Sequence, residues 1–446
     1  MLSQTNFPDY SRNKLVKLVF LVLLSIVFFQ LSVKYKIDNT PAVRPLFMTG
    51  VISLLALLGL SVFLAHKKRI HISFLNVGLI GLFFVFYLYA FMSSVYVGNV
   101  RESKDILYAL CFDFGFIILF SVWMQVIYRN EPERFIELLM KVFMWFGFVA
   151  TIVALLVFFR IVHFEIGSYQ LAQSLYAPTR IHGFMGDPSH YGGIAAIGLI
   201  SLFMLSQWSV IKSKFLLTIL YLTYFIGLIM SGSRASWLGI FFCMLFYMLI
   251  NSKKFVLYSI RISLFLVPAL FITFGFYSIE IVDMLGDYIE KTFRLTGVSD
   301  KDDRLVIWAR VISILADQPL LNMLVGSGAG FIESLGGSTF NVLLRVTINY
   351  GFIFSFSLFL FYMIIFAKLV LGLNKNLRLY LFPCLALIFN FVYSQFIDVF
   401  MNKTFHFVNL MLVLALLVSA LRSRSMQKRK NIVVVEENNN ELGLER

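Results

Sequence analysis

Residues 178–193 read PTRIHGFMGDPSHYGG, and this polar stretch stands between two long apolar runs. It carries Arg180, His182, Asp187 and His190 in a chain that is otherwise strongly apolar. Of the 446 residues, 59% are hydrophobic and 14% are charged, whereas a soluble domain is typically about a quarter charged. A soluble fold of this length could not bury so much apolar surface, so the composition predicts a membrane protein.

The apolar runs around this stretch predict the membrane spans. Each run holds few charges and, at about 20 residues, suffices to cross a hydrocarbon core of about 30 Å. Because no water in that core satisfies backbone groups, the spans are expected to be helices. About twelve are predicted, at residues 16–33, 46–65, 74–96, 106–128, 136–159, 190–208, 215–231, 236–251, 256–277, 346–371, 379–397 and 405–421. The predicted fold class is therefore an all-α polytopic membrane protein.

Basic residues in the short connections predict the orientation, since cytoplasmic loops are rich in Lys and Arg. The chain has a net charge of +14. Its basic residues concentrate before the first span, in alternate connections and after the last span: Arg12, Lys14, Lys17, Lys67, Lys68, Arg69, Arg129, Arg134, Lys212, Lys214, Lys253, Lys254, Lys375, Arg378, Arg422, Arg424, Lys428, Arg429 and Lys430. Twelve spans place all of them on one side, so both termini are expected in the cytoplasm. The positive charge then reflects topology in membrane lipid, and nucleic acid is not an expected partner.

The predicted organisation is one membrane domain, residues 1–422, followed by a polar cytoplasmic tail, residues 423–446, that is expected to be disordered. Two connections on the opposite side are long, at about 160–189 and about 278–345. The second has Leu305, Trp308, Ile312 and Leu315 at helical spacing. This pattern predicts an amphipathic helix over about residues 303–317, lying at the membrane surface.

Arginines in three places predict an anion site on that side. Arg234 lies in SGSRASWLG, residues 231–239, where small neighbours let backbone N–H groups and a guanidinium approach an anion closely. Arg304 begins the predicted amphipathic helix, whose positive end favours negative charge, and Arg180 is a third candidate. Arg234 could instead be a snorkelling arginine, Arg304 a capping or surface charge, and Arg180 a solvated loop arginine. Their common side favours a site for a lipid-linked pyrophosphate.

Acid–base candidates on the same side are His182, Asp187, His190 and Glu333. A working pKa near neutral favours histidine, and Asp187, which precedes Pro188, could instead only form a turn. Asp113 lies inside a span, where an ionisable group has a functional or a packing role. No metal-spaced His/Cys cluster or nucleotide-binding motif is evident, so neither a metal nor a cofactor is expected and the sugar donor would be lipid-activated.

Three segments resemble the bacterial O-antigen polymerase/ligase superfamily of polytopic membrane glycosyltransferases. They are HGFMGDPSHYGG at residues 182–193, SGSRASWLG at residues 231–239, and DRLVIWARVISILADQPLLNMLVGSGAGF at residues 303–331 followed by STFNVLLRVTINYG at residues 338–351. The resemblance spans roughly residues 178–355. It implies an inverting, metal-independent transfer on the outer face of the bacterial cytoplasmic membrane, with undecaprenyl-diphosphate-linked oligosaccharides as donor and acceptor.

The resemblance also implies roles for individual residues. Arg234 and Arg304 would bind the diphosphate leaving group, with Arg180 as a third candidate. A base must also deprotonate the acceptor hydroxyl, and His182, Asp187 and Glu333 are its candidates. The predicted substrate-binding set is Arg180, His190, Trp308, Glu333, Asn341 and Arg345.

One departure from the ligase pattern bears on the reaction. Ligases resembling this chain carry a histidine just before the asparagine of the late loop, where this chain has Phe340 before Asn341. This favours a polymerase of repeat units for O-antigen, and hence lipopolysaccharide, or for capsule; a chain-length regulator is a partner that such a polymerase could have. The alternatives are a ligase that moves glycan to lipid A-core or protein, and a lipid-linked oligosaccharide flippase.

Overall fold

The computed structural model describes residues 14–32, 52–61, 74–124, 131–159, 188–251, 304–328, 341–397 and 406–420, with a few isolated positions between them. These ranges are mainly helical, and two short strands, residues 165–166 and 169–170, pair antiparallel with Glu165 opposite Gln170. The predicted all-α polytopic fold class is confirmed.

The elements are numbered here in chain order. The helices are α1 Lys14–Ser32, α2 Ile52–Ser61, α3 Phe74–Tyr96, α4 Val100–Val122, α5 Pro132–Phe158, α6 Pro188–Gln207, α7 Lys214–Ser231, α8 Arg234–Ile250, α9 Arg304–Ala316, α10 Leu320–Val325, α11 Val342–Leu373, α12 Leu377–Ser394 and α13 His406–Ala420. The strands are β1 Glu165–Ile166 and β2 Tyr169–Gln170.

Seven of the described helices, α3 to α7 with α11 and α12, are long and apolar enough to cross a membrane. Four others, α1, α2, α8 and α13, contain shorter apolar stretches. These eleven helices coincide with eleven of the twelve predicted spans. The span predicted at 256–277 and the predicted tail at 423–446 lie outside the described residues.

Helices α6, α12 and α13 form the centre of the bundle. In α6, 78% of the membrane-spanning window is buried, and in α12 72%, against 28% in α7. All residues of α13 from Val408 to Ala420 are buried. Apolar side chains on the surrounding helices, such as Phe215 at 77% exposure, are left to face lipid.

Glycines allow α5, α6 and α7 to pack closely, as small residues commonly do between membrane helices. A Cβ added at Gly147 of α5 would lie 3.3 Å from the Cα of Gly198 in α6. The Tyr224 ring of α7 packs over both glycines, and its hydroxyl donates a hydrogen bond to the Met144 carbonyl. This packing fixes the position of α6 relative to α5 and α7.

A buried polar cluster joins α3, α4 and α13. The Tyr87 hydroxyl donates to Asp113 Oδ2, and Asn409 Nδ2 donates to the same oxygen at 2.6 Å. Nearby, the Tyr362 hydroxyl donates to Asn390 Oδ1 at 2.8 Å. The ionisable group that the sequence places inside a span is therefore a hydrogen-bond acceptor between helices.

Helix α11 is broken at Gly351 and folds back on itself. The Ser355 hydroxyl lies 3.4 Å from the Leu343 carbonyl, although residues twelve apart along a straight helix are separated by about 18 Å. Residues 342–350 therefore return beside the start of residues 352–373. The sequence had predicted one uninterrupted span at 346–371, so the break is a correction to that part of the prediction.

Two glycines make the fold-back possible. Gly351 has φ 89° and ψ 165°, and Gly326, which ends α10, has φ 98° and ψ 160°. Residues other than glycine are essentially absent from this region of backbone conformation. The end of α10 and the break in α11 contact each other at these two glycines. A Cβ on Gly351 would collide with the Leu324 carbonyl, and a Cβ on Gly326 would collide with the backbone of Tyr350.

Candidate functional site

The first residues of α6, α8 and α11 and the last residues of α12 lie at one end of the bundle, which we call the Arg234 end. The Tyr393 hydroxyl of α12 donates to the Ser189 carbonyl of α6 at 2.5 Å. Asn341 Nδ2, before α11, donates to the Gln395 carbonyl, after α12, at 3.2 Å. The helix ends predicted to carry the site are thus connected to one another.

Arg234 is the first residue of α8 and is exposed. Helix α7 ends at Gly232, which adopts the left-handed conformation with φ 57°, so the chain reverses in a very short turn. Two serines line the turn, with Ser233 and Ser236 Oγ atoms 2.8 Å apart and both residues buried. The rigid, small-residue turn leaves the guanidinium in the open beside a positive helix end.

The start of α6 packs directly against this turn. A Cβ on Gly192 would collide with the Ser233 and Ser236 side chains. His190, in the first turn of α6, is 1% exposed, so in this conformation its ring belongs to the interior beside the site rather than to the open surface. The Ile181 amide, within the opening polar stretch, donates to the Met230 carbonyl near the end of α7 at 3.0 Å.

Helix α9 begins at Arg304, within a residue of the predicted start, and its first side chains lie outside the described positions. The Trp308 ring lies 6.1 Å from that of Phe396, which follows α12. Val311, 5% exposed, packs with the fully buried Ile348 in a small cluster apart from the main core. Residues 342–350 therefore connect α9 to the bundle.

Asn341 and Arg345 have defined partners. Asn341 Oδ1 caps α11 by accepting a hydrogen bond from the Leu344 amide at 3.0 Å. Arg345 Nη2 lies 2.6 Å from Glu102 Oε1 in α4, and the two side chains are 12% and 17% exposed. Their predicted roles as substrate ligands stay predictions.

The remaining predicted site residues, Arg180, His182, Asp187 and Glu333, lie outside the described residues. The structure therefore brings Arg234, His190, Asn341 and Trp308 to connected helix ends, and their chemical roles stay predictions.

Sequence reasoning missed Glu102, Tyr393 and Gln395. Glu102 has a local signal, since Asn99 accepts a hydrogen bond from the Glu102 amide at 3.1 Å and caps α4; an Asn followed three residues later by Glu is a recognised helix start. Tyr393 and Gln395 contact partners more than fifty residues away, so no local pattern indicates their roles.

The chemistry that the described part of this end supports is anion binding. An exposed arginine at a helix start offers a planar pair of N–H donors and a permanent charge, and helix starts are favourable places for phosphate groups. Such groups stabilise a leaving group on which negative charge grows.

Residues 217–353 match the family model described as O-antigen ligase. The matched segment is less than a third of the chain; it begins in α7, contains Arg234 and Arg304, and ends just after the break at Gly351. A search of curated proteins finds no match. The matched segment confirms the resemblance to the O-antigen polymerase/ligase superfamily, and together with the apolar helices it indicates a multi-pass bacterial membrane protein.

Proposed function

We propose that the protein polymerises lipid-diphosphate-linked oligosaccharide repeat units into a surface polysaccharide. In the reaction, an acceptor hydroxyl oxygen attacks C1 of the donor sugar and the bond between C1 and the diphosphate oxygen breaks. The hydroxyl proton passes to a base, for which His182, Asp187 and Glu333 are the candidates from the sequence. The lipid diphosphate leaves with the bonding electrons.

The observation that carries the proposal is the position of Arg234 within the matched family segment. It is exposed at the start of α8, on a turn fixed by buried serines. A guanidinium held in place before the reaction stabilises the charge that grows on the leaving diphosphate without first having to be reoriented. Arg304, at the start of α9, would supply the second charge. Both termini are proposed to be cytoplasmic, with this end of the bundle on the opposite side.

The test is complementation of a strain from which the gene has been deleted. Arg234→Ala and Arg304→Ala should lose long-chain polysaccharide at normal protein levels, and removing one such donor typically costs about a hundredfold to a thousandfold in rate. Arg234→Lys should recover only part of the activity, since lysine keeps the charge and loses the planar fork. Arg310→Ala is the matched control, because Arg310 is an exposed arginine of α9 outside the proposed set. Wild-type chain lengths in both alanine variants would refute the proposal.

The second candidate is a ligase that transfers finished glycan to lipid A-core or to protein, favoured by the description of the matched family. The lipid-linked glycans that accumulate in the deletion strain separate the two functions. Loss of a polymerase leaves single repeat units on the lipid, whereas loss of a ligase leaves long lipid-linked polymer. Mass spectrometry of the extracted lipid fraction reads the difference directly.

A further inference from the structure

The ion pair between Glu102 and Arg345 joins parts of the chain that are distant in sequence. Glu102 lies in the first turn of α4, and Arg345 lies in residues 342–350, the fold-back part of α11, 243 positions later. The N–O distance is 2.6 Å, and both side chains are less than one-fifth exposed. Such a shielded pair resists solvent screening better than a surface pair does.

The ion pair is one of several contacts that hold the fold-back part of α11. A continuous helix fixes the direction of all its residues, but Gly351 breaks this continuity. Besides the ion pair, residues 342–350 are held by the Asn341–Gln395 hydrogen bond and by backbone bonds from Ser327 and Gly328 to the carbonyls of Ile348 and Asn349. Val342, Val346 and Tyr350 of the segment also pack into the main core.

Helix α9 depends on the same segment. Its buried contact is the small cluster of Val311 and Ile348, which Leu315, Phe331 and Leu344 border. Ile348 and Leu344 belong to the fold-back part of α11. The position of Arg304, at the start of α9, therefore depends on residues 342–350 as well as on the contact of Trp308 with Phe396.

We infer that Glu102 is a positioning residue for the transfer reaction, and that Arg345 anchors the fold-back segment instead of binding the diphosphate. The inference rests on the proposed function. Glu102 places a carboxylate against the Arg345 guanidinium, which offsets its charge and disfavours a second anion at the same place. Through Arg345, the pair holds residues 342–350 and hence the start of α9.

Charge reversal tests the inference in the complemented deletion strain. Glu102→Arg and Arg345→Glu should each lower the amount of long-chain polysaccharide strongly, because a shift of about 1 Å in a group that orients the reaction costs up to about a hundredfold in rate. The double reversal, E102R/R345E, should restore most of the product, because the pair is re-formed with its charges exchanged. Thermal unfolding and membrane abundance of each variant show whether the protein is intact.

If Arg345 binds the diphosphate, the double reversal cannot restore activity, since a glutamate would then face the anion. An intact E102R/R345E protein that makes no more product than R345E therefore overturns the inference. A neutral set covers the case in which reversed variants fail to accumulate. E102Q and R345Q should lower the amount of long-chain polysaccharide by similar factors, and the double variant E102Q/R345Q should lose no more product than either single variant. Additive losses of product, with R345Q causing most of the loss, would again overturn the inference.

Failure of this inference is distinguishable from failure of the proposed function. Wild-type chain lengths in Arg234→Ala and Arg304→Ala refute the function whatever the ion pair does. Loss of product in Arg234→Ala, together with no rescue by the double reversal, leaves the function standing and removes only the positioning role of Glu102.

Discussion

Replacing Gly351 with alanine should destabilise the protein at the fold-back of α11, and more than the same change at Gly98 or Gly81 does. The conformation at Gly351, φ 89° and ψ 165°, costs a residue with a side chain about 1–3 kcal/mol. The added Cβ would also meet the Leu324 carbonyl and the backbone of Val325, and such overpacking costs a further 1–3 kcal/mol or so. The sum is about 2–6 kcal/mol, with backbone atoms that cannot rotate away.

Two other glycines separate the contributions. Gly98 has φ 74° and open space where a Cβ would lie, so Gly98→Ala isolates the conformational cost, about 1–2 kcal/mol. Gly81 lies within α3 and also has open space around it; Gly81→Ala should be neutral or should stabilise the protein by about 0.5–1 kcal/mol.

Thermal unfolding of the purified protein in detergent, followed by tryptophan fluorescence, should give the highest midpoint temperature for Gly81→Ala, a lower one for Gly98→Ala and the lowest for Gly351→Ala. Hydrogen–deuterium exchange should rise over residues 342–350 in Gly351→Ala, while α7 stays unchanged. The fold-back would be refuted if Gly351→Ala had the same melting temperature as Gly98→Ala and the same hydrogen–deuterium exchange over residues 342–350 as the wild type.

Two further predictions concern polar contacts inside and at the end of the bundle. Asp113→Leu should lower the melting temperature, because it leaves the Tyr87 hydroxyl and the Asn409 amide without their shared acceptor, at a cost of about 1–3 kcal/mol for each buried group. Asp113→Asn keeps an acceptor oxygen and should melt closer to the wild type, and equal melting temperatures of the two variants would contradict this account. Asn341→Ala and Asn376→Ala each remove a helix cap, worth about 1 kcal/mol, from the starts of α11 and α12 respectively. Only Asn341→Ala should also reduce polysaccharide in the complementation assay. Equal loss of polysaccharide in both variants would show that the cap alone matters.

The positions of the spans follow from the sequence because lipid leaves the backbone little choice. An apolar run must satisfy its own N–H and C=O groups, and a helix does so within the segment. The predicted span at 190–208 is found as Pro188–Gln207, and the one at 215–231 as Lys214–Ser231. Where a boundary was misplaced, as at the start of α5, the signal was Pro132, since proline favours the first turn of a helix.

The fold-back could not be predicted in this way. Glycine is common in membrane helices, so Gly351 inside an apolar run does not by itself indicate a break. What stabilises the break is Gly326, which brings the end of α10 against it from a different part of the sequence. Similarly, the partner of Arg345 lies in α4, 243 residues away, so no local pattern indicates the contact.

The two arginines of the proposed site are held in very different ways, and this difference bears on the mechanism. Arg234 follows a turn between two bundle helices, beside fully buried serines, so its backbone cannot shift without disturbing the core. Arg304 begins a short helix whose buried contacts are made with a segment that is itself broken from its own helix. Electrostatic stabilisation of a leaving group requires charges that are fixed before the reaction begins. In the proposed reaction, Arg234 meets this requirement through the bundle itself, whereas Arg304 depends on the contacts of α9 with residues 342–350 and with Phe396. In that reaction, the contacts that Glu102 and Gln395 make with residues 342–350 would affect transfer through the position of Arg304, although neither residue lies within the matched family segment.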